Sequence, residues 1–187
     1  MRKSAILYLA GGLFNAGERI HNLYLEVALG VLGHAIVLPQ REALRFQNPQ
    51  TCLFDTGAIS RDCRRAAENP NSILVGCVDG PDVDSGTAVE YAYAMAKTGR
   101  AIIYRTDFRT SLEHEVGVNA MLRGLGTEFI YLPCFITELE EIELYYRHLA
   151  RKIDEAAQRI LAVERVDWFR LVVPRWNFSF GGFLYFN

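Results

Sequence analysis

The sequence is poor in the features that mark several common classes of protein. Its four cysteines form no CxxC pair and have no regular spacing, a pattern that suits reduced, buried thiols in the cytoplasm. Its net charge is only −2, which gives no basic surface for nucleic acid or for an anionic membrane. No apolar run reaches the roughly 18 to 20 residues that span a bilayer. We therefore expect a cytoplasmic chain that has neither nucleic acid nor a membrane as its partner.

Motifs for a bound phosphate are missing as well. The pair Gly11-Gly12 is not followed by the GxGxxG spacing, and no P-loop lysine pattern occurs. The aspartates Asp79, Asp82 and Asp84 have a loop-like spacing that could bind a metal, but they do not complete an EF-hand. We expect no cofactor, and a metal site remains only a minor alternative for these three aspartates.

The most informative part of the chain is a strand-to-helix stretch near its middle. Residues 73–78 form a short apolar run rich in β-branched side chains, which predicts a buried strand. Asp84 or Ser85 can then cap an almost wholly apolar helix over residues 87–97. Glu90 is the only carboxylate in that helix, so it either complements the helix dipole or is held there for chemistry.

Strand and helix patterns alternate along the chain. Predicted strands cover residues 5–10, 35–38, 73–78, 101–104 and 129–132. Predicted helices cover residues 15–32, 58–68, 87–97, 112–122 and about 137–164, with a long irregular loop over residues 39–57. This alternation predicts an α/β fold, in which helices cover both faces of an open, parallel, five-stranded, doubly wound sheet of the flavodoxin or Rossmann-like type.

The chain is expected to have two parts. Residues 1–135 form the α/β domain, and residues 136–187 add a long helix and an aromatic tail. The helix is expected to begin with a capping box at Thr137 to Glu140. We expect the aromatic tail to pack on the same domain or on a neighbouring subunit, because so many aromatic side chains are unfavourable in water.

Polar side chains gather where the predicted strands end. Ligands of doubly wound sheets bind beyond the carboxyl ends of the strands. One pocket is therefore expected to hold five side chains together: Tyr8, Gln40, Asp79, Asp84 and Glu90. Carboxyl groups in such a pocket can perform acid, base and nucleophile chemistry, since one carboxylate can attack an anomeric carbon while a second acid protonates the leaving group.

Four segments of the chain resemble the nucleoside 2'-deoxyribosyltransferase family. They are residues 8–14 (YLAGGLF), 38–41 (LPQR), 79–90 (DGPDVDSGTAVE) and the Asn-x-Met at 119–121. The resemblance follows the family's order over roughly residues 4–132, and the stretch that ends in Glu90 is its most specific part. Family members commonly have glycine two residues after the nucleophile, where this chain has Ala92.

The resemblance implies an enzyme that exchanges the bases of 2'-deoxynucleosides with free nucleobases. Glu90 falls on the family's nucleophile, which forms a covalent deoxyribosyl ester, and Tyr8 falls on a tyrosine that lies against that nucleophile. Asp62 falls on the acid that contacts and protonates the base, with Asp55 as the alternative. Asp84 matches an aspartate that helps to hold the substrate and its 5'-hydroxyl.

Three further residues are expected to contact the substrate. Gly12 and Phe14 lie in the first of the matching segments. Gln40 lies at the start of the loop that recognises the base in the family. We expect this loop, which runs to Gly57, to decide the preference among bases.

The resemblance also implies a homo-oligomer built from dimers, up to a hexamer. Asn119 and Met121 match residues that reach into the neighbouring subunit's site, so each pocket would be shared between two subunits. In some members a C-terminal tyrosine covers the site, and Tyr185 is its nearest equivalent here.

Two other functions stay open at this point. A deoxynucleoside 5'-monophosphate N-glycosidase would hydrolyse the same bond. The loops at the site lack a clear cluster of Ser and Arg for its phosphate, however, and Asp84 would repel that anion. A non-catalytic nucleotide-binding domain would keep the fold and the pocket but would have no use for Glu90. We therefore expect free nucleosides as substrates.

Overall fold

A computed structural model describes residues 3–109, 118–123 and 128–163 of the chain. Within these residues, five parallel strands form one sheet in the order β2-β1-β3-β4-β5. The strands are β1 (Ile6–Ala10), β2 (Ala35–Val37), β3 (Ser72–Cys77), β4 (Ala101–Arg105) and β5 (Glu128–Tyr131). The strand order reverses between β1 and β3, which makes this crevice the switch point of a doubly wound sheet.

Helices cover both faces of the sheet. They are α1 (Ala16–Val31), α2 (Pro39–Glu42), α3 (Thr56–Ala67), α4 (Ser85–Thr98), α5 (Ala120–Arg123) and α6 (Glu141–Ala162). Side chains of α1 and α6 contribute to one buried core, and those of α3 and α4 contribute to the other. The predicted α/β fold, with a parallel sheet between two layers of helices, is confirmed. Among the described residues, no helix is long and apolar enough to cross a membrane.

Alternation along β1 sends its side chains into the two cores. Leu7 and Leu9 lie in the core beneath α1 and α6, whereas Tyr8 and Ala10 lie in the core beneath α3 and α4. Successive side chains of a strand point to opposite faces of the sheet. The Tyr8 hydroxyl is therefore directed toward α4, the helix that carries Glu90.

The segment between β2 and α3 is more regular than predicted. The irregular loop expected over residues 39–57 contains α2 and, directly after it, a 3-10 turn at Ala43–Phe46. The α3 helix begins two residues earlier than expected, because Asp55 Oδ1 accepts a hydrogen bond from the backbone nitrogen of Ala58 at 2.8 Å. The sequence pattern places the helix start after Gly57, although aspartate at position 55 is a favoured N-cap residue.

The predicted capping box at Thr137 is wrong, because α6 begins at Glu141. The Glu141 carboxylate accepts hydrogen bonds from the backbone nitrogens of Thr137, at 2.8 Å, and Glu138, at 3.2 Å. Glu141, rather than Glu140, therefore satisfies these free amides. The helix starts about one turn later than the sequence pattern predicts.

Several predictions fall on residues outside the described ranges. They include most of the helix expected over residues 112–122 and the whole aromatic tail with Tyr185. The described part of α6 packs in the same core as α1, through residues such as Leu149 and Ile153. The division of the chain at residue 135 remains a prediction.

Candidate active site

A cavity of about 580 Å³ lies beyond the carboxyl ends of β1 and β2, against the first half of α4. Its polar lining includes Tyr8, Arg19, Gln40, Glu42, Asp62, Asp84, Thr87 and Glu90. Its apolar lining includes Leu13, Phe14, Leu44, Phe46, Phe54 and Ile59. The cavity therefore combines a carboxylate-rich part with walls suited to a flat, apolar ring.

Glu90 and Tyr8 form the central pair of this cavity. The Tyr8 hydroxyl donates a hydrogen bond to Oε1 of Glu90 at 2.7 Å. The pair arises because β1 directs Tyr8 toward α4, and because α4 begins only five residues before Glu90 at Ser85. The phenol of Tyr8 therefore fixes the orientation of a partly buried carboxylate that lines the cavity.

Burial raises the pKa of Glu90, and the nearby charge of Asp84 raises it further. Hydrogen bonds from Tyr8 and from the thiol of Cys63 act in the opposite direction, because they favour the charged form. Burial, followed by the charge of Glu90, also raises the pKa of Tyr8, so the phenol keeps its proton and remains a donor.

Cys63 is a site residue that the sequence gave no reason to select. It lies on α3 and lines the cavity beside Tyr8 and Glu90, and its thiol influences the pKa of both groups. Burial raises its pKa to about 11, so the group is a neutral thiol at neutral pH. Helical spacing could have found it, since Ile59, Asp62 and Cys63 stand at positions i, i+3 and i+4 and therefore share one face of α3.

The two aspartates proposed for base protonation lie in different environments. Asp62 lines the cavity, and its Oδ2 lies 3.9 Å from Nη2 of Arg45, which also pairs with Glu42. Asp55 does not line the cavity and instead caps α3 through Ala58. Of the two alternatives, the structure brings Asp62 toward Glu90.

Asp84 both caps α4 and lines the cavity. Its Oδ2 accepts hydrogen bonds from the backbone nitrogen of Thr87 at 2.8 Å and from the Thr87 hydroxyl at 3.0 Å. This is the cap of α4 that the sequence predicts. Both contacts use the same oxygen, so Asp84 can cap the helix and still present a carboxylate oxygen to a ligand.

Gln40 lines the cavity from α2, but both ends of its amide are already engaged. Its Oε1 accepts from Asn22 Nδ2 at 3.1 Å, and its Nε2 donates to the backbone oxygen of Arg19 at 3.2 Å. The side chain is almost fully buried. Gln40 therefore braces α2 against α1 and sets the shape of the cavity between them.

Of the predicted contact residues Phe14 and Gly12, only Phe14 lines the cavity. Phe14 is largely exposed and lines the mouth. Gly12 does not line the cavity; a Cβ at this position would lie 2.5 Å from Cδ of Glu18. The Glu18 carboxylate accepts from the backbone nitrogens of Phe14 and Asn15, at 2.8 and 3.3 Å, and so fixes the turn from β1 into α1.

Asp79 was expected in the same pocket, and this expectation is wrong. Its carboxylate accepts from the backbone nitrogens of Thr106, at 2.6 Å, and Asp107, at 2.9 Å, and also from the Thr106 hydroxyl. These bonds tie the end of β3 to the end of β4, on the far side of the switch point. The sequence could show that Asp79 follows a strand but not which neighbouring loop it would join.

Asn119 and Met121 lie away from the cavity of their own chain. Asn119 Oδ1 accepts from the backbone nitrogen of Met121 at 2.9 Å, and the Met121 side chain is largely exposed. Their predicted role in a neighbouring subunit's site stays a prediction, and Tyr185 lies outside the described residues. Within the described residues, no cluster of three or more His, Cys, Asp or Glu side chains could hold a metal ion.

The chain has detectable similarity to known proteins over most of its length. A family described as nucleoside 2-deoxyribosyltransferase matches residues 7–126. A conserved protein from Enterococcus faecalis V583 shares 22% identity and a TM-score of 0.58, over 79% of this chain and 99% of that one. A 2-deoxyribosyltransferase from Bacillus psychrosaccharolyticus shares 21% identity and a TM-score of 0.52, over 74% of this chain and 90% of that one.

Together, these matches define the family of the chain. No curated protein matches the sequence. At 21 to 22% identity, the two solved structures show a shared fold. The family match covers well over half of the sequence and includes Tyr8, Asp62, Asp84 and Glu90. The chain belongs to the nucleoside 2-deoxyribosyltransferase family.

Proposed function

We propose that this protein is a nucleoside 2'-deoxyribosyltransferase that exchanges the base of a 2'-deoxynucleoside with retention at C1'. The observation that carries the proposal is the partly buried Glu90 carboxylate, held by Tyr8 at 2.7 Å in a cavity that Asp62 also lines. A retaining transfer needs a nucleophile and an acid in one cavity. These residues supply both without a cofactor.

The first displacement breaks the bond between C1' and the base. A Glu90 oxygen attacks C1', and the electron pair of the C1'–N bond leaves with the base. The carboxyl group of Asp62 donates a proton to that base, which departs as a neutral molecule. The products are a deoxyribosyl ester on Glu90, a free base and the Asp62 carboxylate.

The second displacement reverses these roles. A nitrogen of the incoming base attacks C1', the ester bond breaks, and Glu90 leaves as a carboxylate. Asp62 accepts the proton that the incoming base loses, which restores the starting state of the site. Two inversions at C1' give net retention.

The charges of the cavity favour free nucleosides over nucleoside 5'-phosphates. Four carboxyl groups line it, those of Glu42, Asp62, Asp84 and Glu90, and Arg19 is the cation among the described lining residues. The Arg19 guanidinium already donates to the backbone oxygen of Leu13 at 3.2 Å. A 5'-phosphate would be repelled by the carboxylates, whereas a 5'-hydroxyl can donate to Asp84.

Transfer also requires that water stay away from the ester while the bases exchange. The exposed side chain of Met121, together with Asn119, fits a role at a neighbouring subunit's site, where it would cover the mouth of the cavity. The working enzyme would then be a homo-oligomer with shared sites.

The test is base exchange followed by chromatography. The protein is incubated with thymidine or deoxyinosine and free adenine, and deoxyadenosine is the expected product. Glu90→Ala should abolish its formation, while Glu68→Ala, which removes an exposed carboxylate bonded to Tyr93, should not. Intact-mass measurement with a donor alone should show one deoxyribosyl adduct on the wild-type chain and none on Glu90→Ala.

Each other outcome contradicts the proposal in a defined way. Release of base and deoxyribose without deoxyadenosine would make the protein a hydrolase, and activity confined to 5'-monophosphates would identify its substrates as nucleotides. Binding of nucleosides without any product would leave a binding domain. Full exchange by Glu90→Ala would remove Glu90 as the nucleophile.

A further inference from the structure

The α1 helix presents an apolar face to solvent. Between residues 20 and 31, every exposed residue of this helix is uncharged and almost all are large and apolar. We call this set the α1 stripe: Ile20, Leu23, Tyr24, Val27, Gly30 and Val31. Val27 is 66% exposed and Val31 is 82% exposed, whereas Leu25 and Leu29, on the opposite side, are fully buried. The helix therefore has two apolar faces, and the sheet covers only one.

The other helix on this side of the sheet has a different surface. The exposed face of α6 is almost entirely polar, with Leu144 as its one large exposed apolar side chain. The exposed charged residues of α6 are Glu141, Glu143, Arg147, Arg151, Lys152, Glu155 and Arg159. Two neighbouring helices in the same solvent would be expected to have similar outer faces, so the α1 stripe has the character of a covered surface.

The end of α6 lies beside the end of this stripe. Lys3 Nζ donates to the backbone oxygen of Leu161 at 3.1 Å, and Ser4 Oγ donates to the backbone oxygen of Gly33 at 2.6 Å. His34 Nε2 lies 2.9 Å from Oδ1 of Asp154, within the last turns of α6. The chain therefore leaves α6 close to the point where both α1 and the stripe end.

The residues that follow α6 have the chemistry to cover an apolar face. Residues 164–187 contain both tryptophans of the chain and five of its phenylalanines. The stripe is about 17 Å long, a length that five or six extended residues cover. A segment tethered beside a surface has a high effective concentration there, which favours it over a second copy of the chain. We propose that residues 164–187 pack along the α1 stripe.

The first test combines a charged stripe with proteolysis. Tail cleavage by trypsin at Arg165, Arg170 and Arg175 is followed by mass spectrometry in the wild type and in the double variant Val27→Asp/Val31→Asp. Two carboxylates on the stripe should release the segment, and cleavage should accelerate about tenfold or more, because proteolysis follows the population of the open form. Leu144→Asp, a matched charge on α6, should leave the rate unchanged.

Tryptophan fluorescence gives a second readout that concerns only this segment. Because Trp168 and Trp176 are the only tryptophans, their emission reports the surroundings of residues 164–187 alone. The emission should shift to the red, and acrylamide quenching should increase, in Val27→Asp/Val31→Asp but not in Leu144→Asp. The milder pair Val27→Ser/Val31→Ser provides the same comparison if the aspartate variant does not fold.

Three results would overturn the proposal. Equal cleavage and emission in the wild type and the stripe variants would mean that the segment lies elsewhere. A fall in molecular mass by light scattering, with unchanged cleavage, would assign the stripe to a second copy of the chain. A change in Leu144→Asp alone would mean that the segment packs near Leu144 at the start of α6. None of these readouts depends on base exchange, so a failure here is separate from a failure of the proposed function.

Discussion

The hydroxyl of Tyr8 lies 2.7 Å from Oε1 of Glu90, although the two residues are 82 positions apart. The strand β1 supplies one partner and the second turn of α4 supplies the other. Burial favours the protonated form of Glu90, whereas this hydrogen bond favours the carboxylate that a nucleophilic attack requires. Burial and the Tyr8 hydrogen bond therefore act in opposite directions on the pKa of Glu90. Loss of the hydrogen bond should change the pH dependence of activity.

Tyr8→Phe should move the acid limb of the pH–rate profile to higher pH. Without the phenol, the pKa of Glu90 rises further, so a smaller fraction of the enzyme has the carboxylate at any acidic pH. A hydrogen bond to a charged group is worth about 1.5–3 kcal/mol, so kcat/KM at mildly acidic pH should fall about tenfold to hundredfold. The loss should shrink as the pH rises. The measurement is kcat/KM for base exchange across the pH range.

Tyr93→Phe is the matched control for that experiment. The Tyr93 hydroxyl also donates to a glutamate, Glu68, at 3.0 Å, but this pair is exposed and lies outside the cavity. Its profile should coincide with that of the wild type. A Tyr8→Phe enzyme with a uniform loss at every pH would show that Tyr8 only positions the substrate or the helix.

The fold was predictable because it depends on short-range patterns. Apolar runs followed by helical spacing give the order of strands and helices, and a parallel doubly wound sheet brings its carboxyl ends together. The assignments of Glu90 and Tyr8 needed the family resemblance in addition. The pairing of Asp79 with the loop after β4 depends on which loops meet in space, and no local pattern encodes it.

Helical periodicity also left the orientation of α1 open. The positions of Ile20, Tyr24 and Val27 fit a helix, but so do those of Leu25 and Leu29. A pattern with two apolar faces predicts a helix, but it does not determine which face packs against the sheet. The structure decides this, since the second set is buried and the first is exposed. Cys63 was missed for a related reason, because a thiol has no motif unless its neighbours in space are known.

Cys63→Ala should produce a smaller version of the effect expected for Tyr8→Phe. The neutral thiol favours the Glu90 carboxylate, so its loss raises the pKa of Glu90 and moves the acid limb upward. An ordinary hydrogen bond is worth about 0.5–1.5 kcal/mol, which corresponds to about a two- to tenfold loss in kcat/KM at mildly acidic pH. Cys63→Ser keeps a donor and should recover most of the activity.

The exposed thiol of Cys52 provides the control for this substitution. Cys52→Ala should leave the profile unchanged. If Cys63→Ser is as slow as Cys63→Ala at every pH, the thiol fills space beside Glu90 and does not act as its donor.

Glu90→Gln should stabilise the protein at neutral pH. The folded-state pKa of Glu90 is raised by burial, so the folded protein loses stability as the pH rises through that pKa and the group becomes charged. Below the ordinary pKa of glutamate, both states are protonated and the penalty is absent. Glutamine has nearly the same shape, is always neutral, and can still accept from Tyr8. Each unit of pKa shift corresponds to about 1.4 kcal/mol of unfolding free energy.

The measurement is thermal unfolding of the wild type and Glu90→Gln between about pH 4 and pH 8. The Tm of the variant should exceed that of the wild type at the upper end, and the difference should vanish toward the lower end. Glu68→Gln, at an exposed carboxylate, should show no such gain. A lower Tm for Glu90→Gln at neutral pH would mean that the ionised carboxylate stabilises the fold.

Gly12→Ala should destabilise the start of α1 through one identifiable contact. The added Cβ would lie 2.5 Å from Cδ of Glu18, whose carboxylate accepts from the backbone nitrogens of Phe14 and Asn15. Glu18 must move and leave these amides, and the loss of such a cap costs about 0.5–2 kcal/mol. Unfolding in urea measures this cost, and a double-mutant cycle with Glu18→Ala identifies its source. On the Glu18→Ala background the substitution should cost almost nothing, because the crowded carboxylate is gone; an unchanged cost there would place the strain in the Gly12 backbone instead.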